Sequence, residues 1–71
     1  MNEAKFYTQK ESRINGRGIW LYLIDCPIGY IYIVEYEDRG FGLNHFIFGA
    51  DLDKAEKKYD TICTKILKGA L

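Results

Sequence analysis

The side chains that could carry acid–base or metal chemistry are few. His45 is the only histidine, and the carboxylates available to it on the predicted strands are Asp25, Glu35 and Glu37. Catalysis would need a nucleophile or a second acid–base group beside the imidazole, and a metal site would need further ligands. The sequence spacing of these carboxylates does not predict that any of them lies beside His45. We therefore expect a non-enzymatic protein without a metal or cofactor, whose histidine packs or faces solvent.

The two cysteines, Cys26 and Cys63, are too few for a disulfide framework and lack metal-ligand spacing. Cys63 lies on the apolar stripe of a predicted helix, which favours a small core residue. Cys26 precedes Pro27 at the end of a predicted hairpin. A reactive thiol there would need a histidine or basic residue beside it, and none adjoins it in sequence.

Length and composition predict one small domain, residues 1–71, with a marginal core. Ten basic residues balance ten acidic ones, so the overall charge gives no signature for nucleic acid or membrane. No run approaches the roughly 18 to 20 apolar residues of a membrane span. The N-terminal MNEAKFYTQK lacks the apolar stretch of a signal peptide. We expect a cytoplasmic protein with no membrane contact.

Turn signals divide the first fifty residues into four strands. Asn15-Gly16 predicts a two-residue type I′ hairpin turn. Pro27-Ile28-Gly29 suits a type I turn closed by a glycine bulge, and Asp38-Arg39-Gly40 can form the same kind of turn. Such short connections predict an antiparallel meander with strands at about 3–13, 18–25, 30–37 and 41–49.

A helical period begins after Gly49 and predicts one amphipathic helix at about 52–68. Asp51 or Asp53 can cap its start, Asp53 with Glu56 forms a capping-box pattern, and Gly69 can end it. The predicted apolar stripe is Leu52, Ala55, Tyr59, Ile62, Cys63, Ile66, Leu67 and Ala70. The fold class is therefore α+β, with one helix packed on one face of a four-stranded sheet.

One helix about 10 Å wide can cover one face of a narrow sheet, and no further segment remains for the other face. A three-residue Pro27-Ile28-Gly29 loop would place Leu21, Leu23, Ile31 and Ile33 toward the helix. It would leave bare an aromatic face that consists of Trp20, Tyr22, Ile24, Tyr30, Tyr32, Val34 and Tyr36. Tyr7 would join this face beside Ile24.

The register of the fourth strand stays open, because a shift of one residue exchanges its two faces. A two-residue Arg39-Gly40 turn would put Phe46 and Phe48 in the core and Leu43, His45 and Ile47 on the bare face. A three-residue bulged turn would do the reverse. We favour the first, because the second buries the only histidine.

An aromatic face of this size exceeds what most monomers expose, which predicts an interface with a second copy or with a target protein. If the face pairs with itself, the loop with Arg39 and Phe41 could bind the target. The competing interpretation is that cross-strand aromatic pairs stabilise the sheet without any partner.

RGFGLNHF, residues 39–46, resembles the octamer motif of RNA-recognition domains through Arg39, Gly40, Phe41, Gly42 and Phe46. Leu43 replaces a stacking aromatic, and no helix and strand fit between this octamer and the hexamer-like IYIVEY. Stacking of single-stranded nucleic acid on the sheet aromatics is therefore the alternative function.

FIFGADLDKAEKKYDTI, residues 46–62, resembles the strand-to-helix ending of small proteins from phages and mobile elements. Some anti-CRISPR inhibitors are similar in size and in having a sheet plus a helix. The resemblance implies a binding protein, such as an inhibitor of a host or defence protein, that acts through its surface. It implies no particular functional residues.

Overall fold

The structure, a computed structural model, describes residues 4–40 and 42–71. It confirms the predicted α+β class, with four strands and then one helix. The strands form one antiparallel sheet in chain order. The elements are β1 (Lys5–Ile14), β2 (Arg17–Cys26), β3 (Gly29–Glu37), β4 (Leu43–Ile47) and α1 (Leu52–Leu67).

The first hairpin closes as predicted. Ile14 pairs with Arg17, so Asn15 and Gly16 form a two-residue loop. Both residues have positive φ, 52° and 76°, as a type I′ turn requires. Further along the hairpin, a bulge between Thr8 and Lys10 shifts the register of β1. Compared with a regular hairpin closed by the same turn, this shift moves every residue of β1 before the bulge to the opposite face of the sheet.

The predicted three-residue loop between β2 and β3 is wrong. Cys26 pairs with Gly29, so only Pro27 and Ile28 form the turn. The Cys26 thiol also donates to the Gly29 carbonyl, with a sulfur–oxygen distance of 3.2 Å. The true register pairs Leu21 with Val34, whereas the prediction pairs Tyr22 with Val34. The two faces of β3 are therefore exchanged relative to the prediction.

The predicted two-residue Arg39-Gly40 turn is also wrong. Glu37 pairs with Leu43, and inside this pair the Asp38 amide donates to the Gly42 carbonyl at 2.8 Å. Phe46 nevertheless lies on the predicted helix side, because it pairs with Val34, which itself lies there. It is 37% exposed and does not enter the core as predicted, whereas Phe48 packs against the core. The first error exchanges the two faces of β3, and the second shifts β4 by one residue against β3. The faces of β4 are therefore the predicted ones. The strand is shorter than the predicted 41–49.

The ends of α1 are set by local residues. The Asp51 side chain accepts a hydrogen bond from the Lys54 amide at 3.0 Å, which selects Asp51 from the two predicted caps. The Asp53–Glu56 pair consequently lies inside the helix. Gly69, with φ of 75°, ends the helix as predicted. The Ala70 amide donates to the Lys65 carbonyl and the Gly69 amide to the Ile66 carbonyl, the pattern of a Schellman motif.

The core lies between α1 and one face of the sheet, which we call the covered face. Four side chains of this face are buried against four side chains of α1. Complete burial of each large aliphatic side chain contributes about 1.5–3 kcal/mol. The eight residues are Ile19, Leu21, Val34, Tyr36, Ala55, Tyr59, Ile62 and Ile66.

Hydrogen bonds hold α1 in place across this core. Tyr59 bonds to Ser12 of β1, and the Asn15 side-chain amide donates to the Ile66 carbonyl at 3.0 Å. Nearer the start of the helix, Lys10 and Glu56 form an ion pair at 3.2 Å. Within residues 4–40 and 42–71, no helix is long and apolar enough to cross a membrane.

Candidate functional site

The face of the sheet opposite α1, which we call the open face, has no second layer from the described residues. Alternation along the paired strands decides which side chains project from it. They are Phe6, Thr8, Glu11 and Arg13 of β1, Trp20, Tyr22, Ile24 and Cys26 of β2, Ile31, Ile33, Glu35 and Glu37 of β3, and Leu43, His45 and Ile47 of β4.

The end of the open face nearest the Pro27–Ile28 turn is apolar. Phe6, Ile24 and Ile31 form one row across three strands. Tyr22, Ile33 and Ile47 belong to the next row. The central members are half-buried by their neighbours, whereas Phe6 and Ile47 at the edges are 66% and 64% exposed. We call these six residues the apolar end.

The other end of the open face is acidic, and Trp20 lies within it. Trp20 pairs with Glu11 on one side and Glu35 on the other, and His45 follows Glu35 on β4. The indole Nε1 donates to Glu11 Oε1 at 3.2 Å. The ring lies over Gly18, because a Cβ added there would collide with the Cη2 and Cζ2 atoms of the indole. Only glycine at position 18 lets the indole lie flat on the sheet.

The charges of the acidic end are only partly balanced. Arg13 Nη1 lies 3.4 Å from Glu37 Oε1, which neutralises that carboxylate. Glu11 and Glu35 form no ion pair within the described part of the chain. Burial, and then the negative charges of Glu35 and Glu11, raise the pKa of Tyr22. The negative charges of both carboxylates therefore act at the position of Tyr22.

The lysines are all elsewhere. Five belong to α1 or its end, and Lys5 and Lys10 pair with Asp25 and Leu21 on the covered side of the sheet. The open face thus holds three carboxylates against one guanidinium. A chain with zero formal net charge therefore presents one face with a negative excess.

The predicted grouping of these side chains on one uncovered face is confirmed for β2 and is wrong for β3. Trp20, Tyr22 and Ile24 project from the open face. Val34 and Tyr36 are instead buried under α1, with exposures of 0% and 7%.

The other two predicted members from β3 follow the same alternation. Tyr32 packs against the edge of the core, and Tyr30 projects from the covered side, beyond the core, at 60% exposure. The two-residue Pro27–Ile28 turn is the physical reason for the exchange.

The predicted secondary contacts are dispersed. Tyr7 lies on the covered side opposite Leu23, because the bulge places Phe6 rather than Tyr7 opposite Ile24. Arg39 donates to the carbonyls of Leu71 and Gly69 at 2.8 and 2.7 Å. His45 is on the open face. Phe41 lies outside the described residues.

The arrangement of the RNA-motif-like residues does not match a base-stacking platform. Phe46 lies on the covered side, stacked on Tyr36 with ring centroids 6.4 Å apart. The Lys58 ammonium lies 4.3 Å from the Phe46 ring centroid. Phe46 therefore cannot share a stacking surface with Trp20 and Tyr22, which project from the opposite face.

Both cysteines are free thiols, one at the end of β2 and one on α1. Cys63 packs against the core as predicted, and burial raises the pKa of its thiol. No three His, Cys, Asp or Glu side chains among the described residues are placed to hold a metal ion. The hollow beside Asp51 at the start of α1 is broad and open.

Sequence reasoning missed five residues on the open face, namely Phe6, Glu11, Ile31, Ile33 and Glu35, whereas the favoured register of the fourth strand had already placed Ile47 there. The available signal was the alternative interpretation of Pro27-Ile28 as a two-residue loop. That loop places Ile31 opposite Ile24 and Glu35 opposite Trp20. Glu11 lies between the bulge and the Asn15-Gly16 turn, so that turn alone places it opposite Trp20. The bulge in β1, which places Phe6 opposite Ile24, had no comparable signal.

Comparison of the chain with protein-family models, with curated proteins and with solved structures finds no significant match.

Proposed function

We propose that this chain is a non-enzymatic protein-interaction module that binds another polypeptide through its open face. The observation that carries the proposal is the apolar end, where Phe6, Ile24, Ile31, Tyr22, Ile33 and Ile47 adjoin one another with no covering layer in the described chain. Contiguous apolar patches with polar borders are typical of protein interfaces.

The core of this fold does not need the apolar end. The eight buried residues lie on the other side of the sheet and on α1. Cross-strand pairs such as Tyr22–Ile33 do stabilise a sheet without a partner. That role does not require exposed Phe6 and Ile47 at both edges of the same face, which supports a binding role.

Single-stranded nucleic acid is disfavoured as the ligand. The aromatic side chain best placed for stacking, Trp20, lies between Glu11 and Glu35, and no lysine shares its face. Phosphates would be repelled there, whereas nucleic-acid sites attract them with Lys and Arg. Inhibition of a host or defence protein, which the resemblance to phage proteins implies, would be one use of a binding module.

Site-specific photo-cross-linking in cells that produce the chain tests the proposal. We expect a photoreactive phenylalanine at Ile33, on the open face, to give one or a few discrete products. The same group at Lys57, on the exposed surface of α1, is the matched control and should give none. Ile24→Asp should remove the products of the Ile33 label, because a carboxylate at this half-buried position keeps part of its hydration in the free chain and loses it inside an interface. Far-UV circular dichroism of the variant checks that the sheet still forms.

The masses of the products identify the occupant class: twice the chain mass means a second copy, and any other mass means a target. Absence of products at Ile33, or equal products at Lys57, would overturn the proposal.

A further inference from the structure

The two ends of the open face differ in chemistry, and the difference restricts what can bind there. One end presents aliphatic and aromatic side chains. The other presents the flat indole of Trp20 with Glu11 and Glu35 beside it, neither of them in an ion pair within the described residues. A ligand that covers both ends needs apolar groups at one end and positive charge at the other.

A second copy of the chain does not meet this requirement. If the two-fold axis runs along the strands, the acidic ends of the two copies face each other. If it runs across the strands at the middle, Glu11 and Glu35 are buried against isoleucines. Each copy brings three carboxylates and only one guanidinium, that of Arg13, to the shared face, so both arrangements desolvate carboxylates that no cation compensates.

An arrangement that uses only the apolar end avoids this cost but is small. Three strands of nine or ten residues and one strand of five, about 4.8 Å apart, give a face of roughly 550 Å² in projection. Half of that lies well below the about 800 Å² per partner of a standard interface.

We propose that the open face binds a polypeptide segment in which arginine or lysine side chains adjoin apolar ones. The cation would lie against Trp20, between Glu11 and Glu35, and the apolar side chains would cover Ile24, Ile31 and Ile33. Arginine suits this place best, because its planar guanidinium can stack on an indole and bond to a carboxylate at once. This inference rests on the proposed function, since it names the partner of the same face.

Two synthetic helical peptides of equal length test the charge requirement. Both carry leucines along one side, flanked by arginines in the first and by glutamates in the second. Trp20 is the only tryptophan, so its fluorescence at pH 7.5 reports binding to the full-length chain directly. We expect the arginine peptide to shift the Trp20 emission and to bind at least about tenfold more tightly than the glutamate peptide.

Charge-neutralising variants locate the effect. Glu11→Gln with Glu35→Gln should weaken binding of the arginine peptide by about tenfold. Asp53→Asn with Asp60→Asn removes two charges from α1 instead and serves as the matched control. Because these aspartates lie on the far side of the molecule, the control should change the affinity by less than about twofold.

The outcomes separate this inference from the proposed function. Equal affinity for the two peptides, or equal loss in both pairs of variants, would overturn the inference and leave open-face binding standing. Failure of both peptides to bind would also overturn it, and so would a dimer in sedimentation that Ile33→Asp dissociates. Loss of the Ile33 cross-links is a separate result and concerns the proposed function.

Discussion

Strand β2 contributes large apolar side chains to both faces of the sheet, and the two faces differ in how deeply those side chains are buried. Ile19 and Leu21 point to the covered face and are fully buried under α1. Trp20 and Tyr22, which alternate with them, point to the open face and are only half-buried. The comparison shows that hydrophobicity along a strand does not distinguish core from surface in so short a chain. The position of the single helix decides.

The two faces also differ in how their polar groups are matched. On the covered side, Tyr59 bonds to Ser12, Asn15 bonds to the end of α1, and Lys10 pairs with Glu56. On the open side, Glu11 and Glu35 have no cation beside them within the described residues. Where α1 lies over the covered face, its polar groups are matched within the described chain, except for Arg17 Nη2, which is buried without a hydrogen-bond partner there. On the open face, the unmatched groups are carboxylates.

The largest difference between the faces should appear when an aliphatic side chain is truncated. We expect Leu21→Ala to lower the free energy of unfolding by about 2–5 kcal/mol, because it leaves a cavity under α1. Ile33→Ala on the open face should cost about 1 kcal/mol or less. Urea unfolding followed by circular dichroism measures both, and Leu21→Val serves if Leu21→Ala does not fold.

Similar losses at the two positions would contradict the comparison. They would mean that Ile33 is also covered in solution, and a dependence of the loss on protein concentration would then identify self-association as the cause.

The contact between Trp20 and Gly18 predicts a smaller loss. Gly18→Ala should destabilise the protein by about 1–3 kcal/mol, since the new methyl group must displace the indole that lies over it. Trp20 emission should shift to the red as the ring moves into water. In a Trp20→Ala background the same substitution should cost almost nothing. A full cost in that background would assign the strain to the backbone.

Two tyrosines provide a finer comparison: Tyr59 of α1, which lies over the covered face, and Tyr22 of β2 on the open face. Tyr59→Phe removes the hydroxyl that bonds to Ser12 under α1 and should cost about 0.5–1.5 kcal/mol. Tyr22→Phe on the open face should leave stability nearly unchanged. Equal losses from the two substitutions in urea unfolding would show that the Tyr22 hydroxyl is equally engaged.

Tyr59 also predicts that the free energy of unfolding depends on pH. Burial raises the pKa of Tyr59, so above about pH 10 the unfolded chain ionises first. Its contribution to stability is therefore complete below about pH 10 and is lost as the pH rises through the folded-state pKa. Unfolding measured between pH 9 and 11, a range chosen around the tyrosine value, should show a shallower loss for Tyr59→Phe.

The smallest effect is expected from the carboxylates of the open face. Glu11→Gln with Glu35→Gln should change the free energy of unfolding by no more than about 0.5 kcal/mol, because neither group is in an ion pair within the described chain. Glu56→Gln, which removes the partner of Lys10, is the comparison variant on the covered side. A large loss from the open-face pair would show that these carboxylates hold the fold together.

Much of the fold was predictable because its signals are local. The Asn15-Gly16 turn, the change to a helical period after Gly49 and the end of α1 at Gly69 each depend on residues close together in sequence. The open face was predictable only in part. Its β2 members were correct, but those of β3 depended on whether Gly29 belongs to the turn or to the strand.

The sequence by itself determined the number of elements, their order and the existence of a sheet face that one helix cannot cover. Only the tertiary structure decided which side chains occupy that face. The physical reason is that a strand alternates with a period of two, so a single residue in a turn or a bulge exchanges its faces. The Pro27–Ile28 turn is one residue shorter than expected, and the bulge after Thr8 adds one residue to β1. Together they replaced an expected surface of tyrosines with a surface of isoleucines bordered by glutamates.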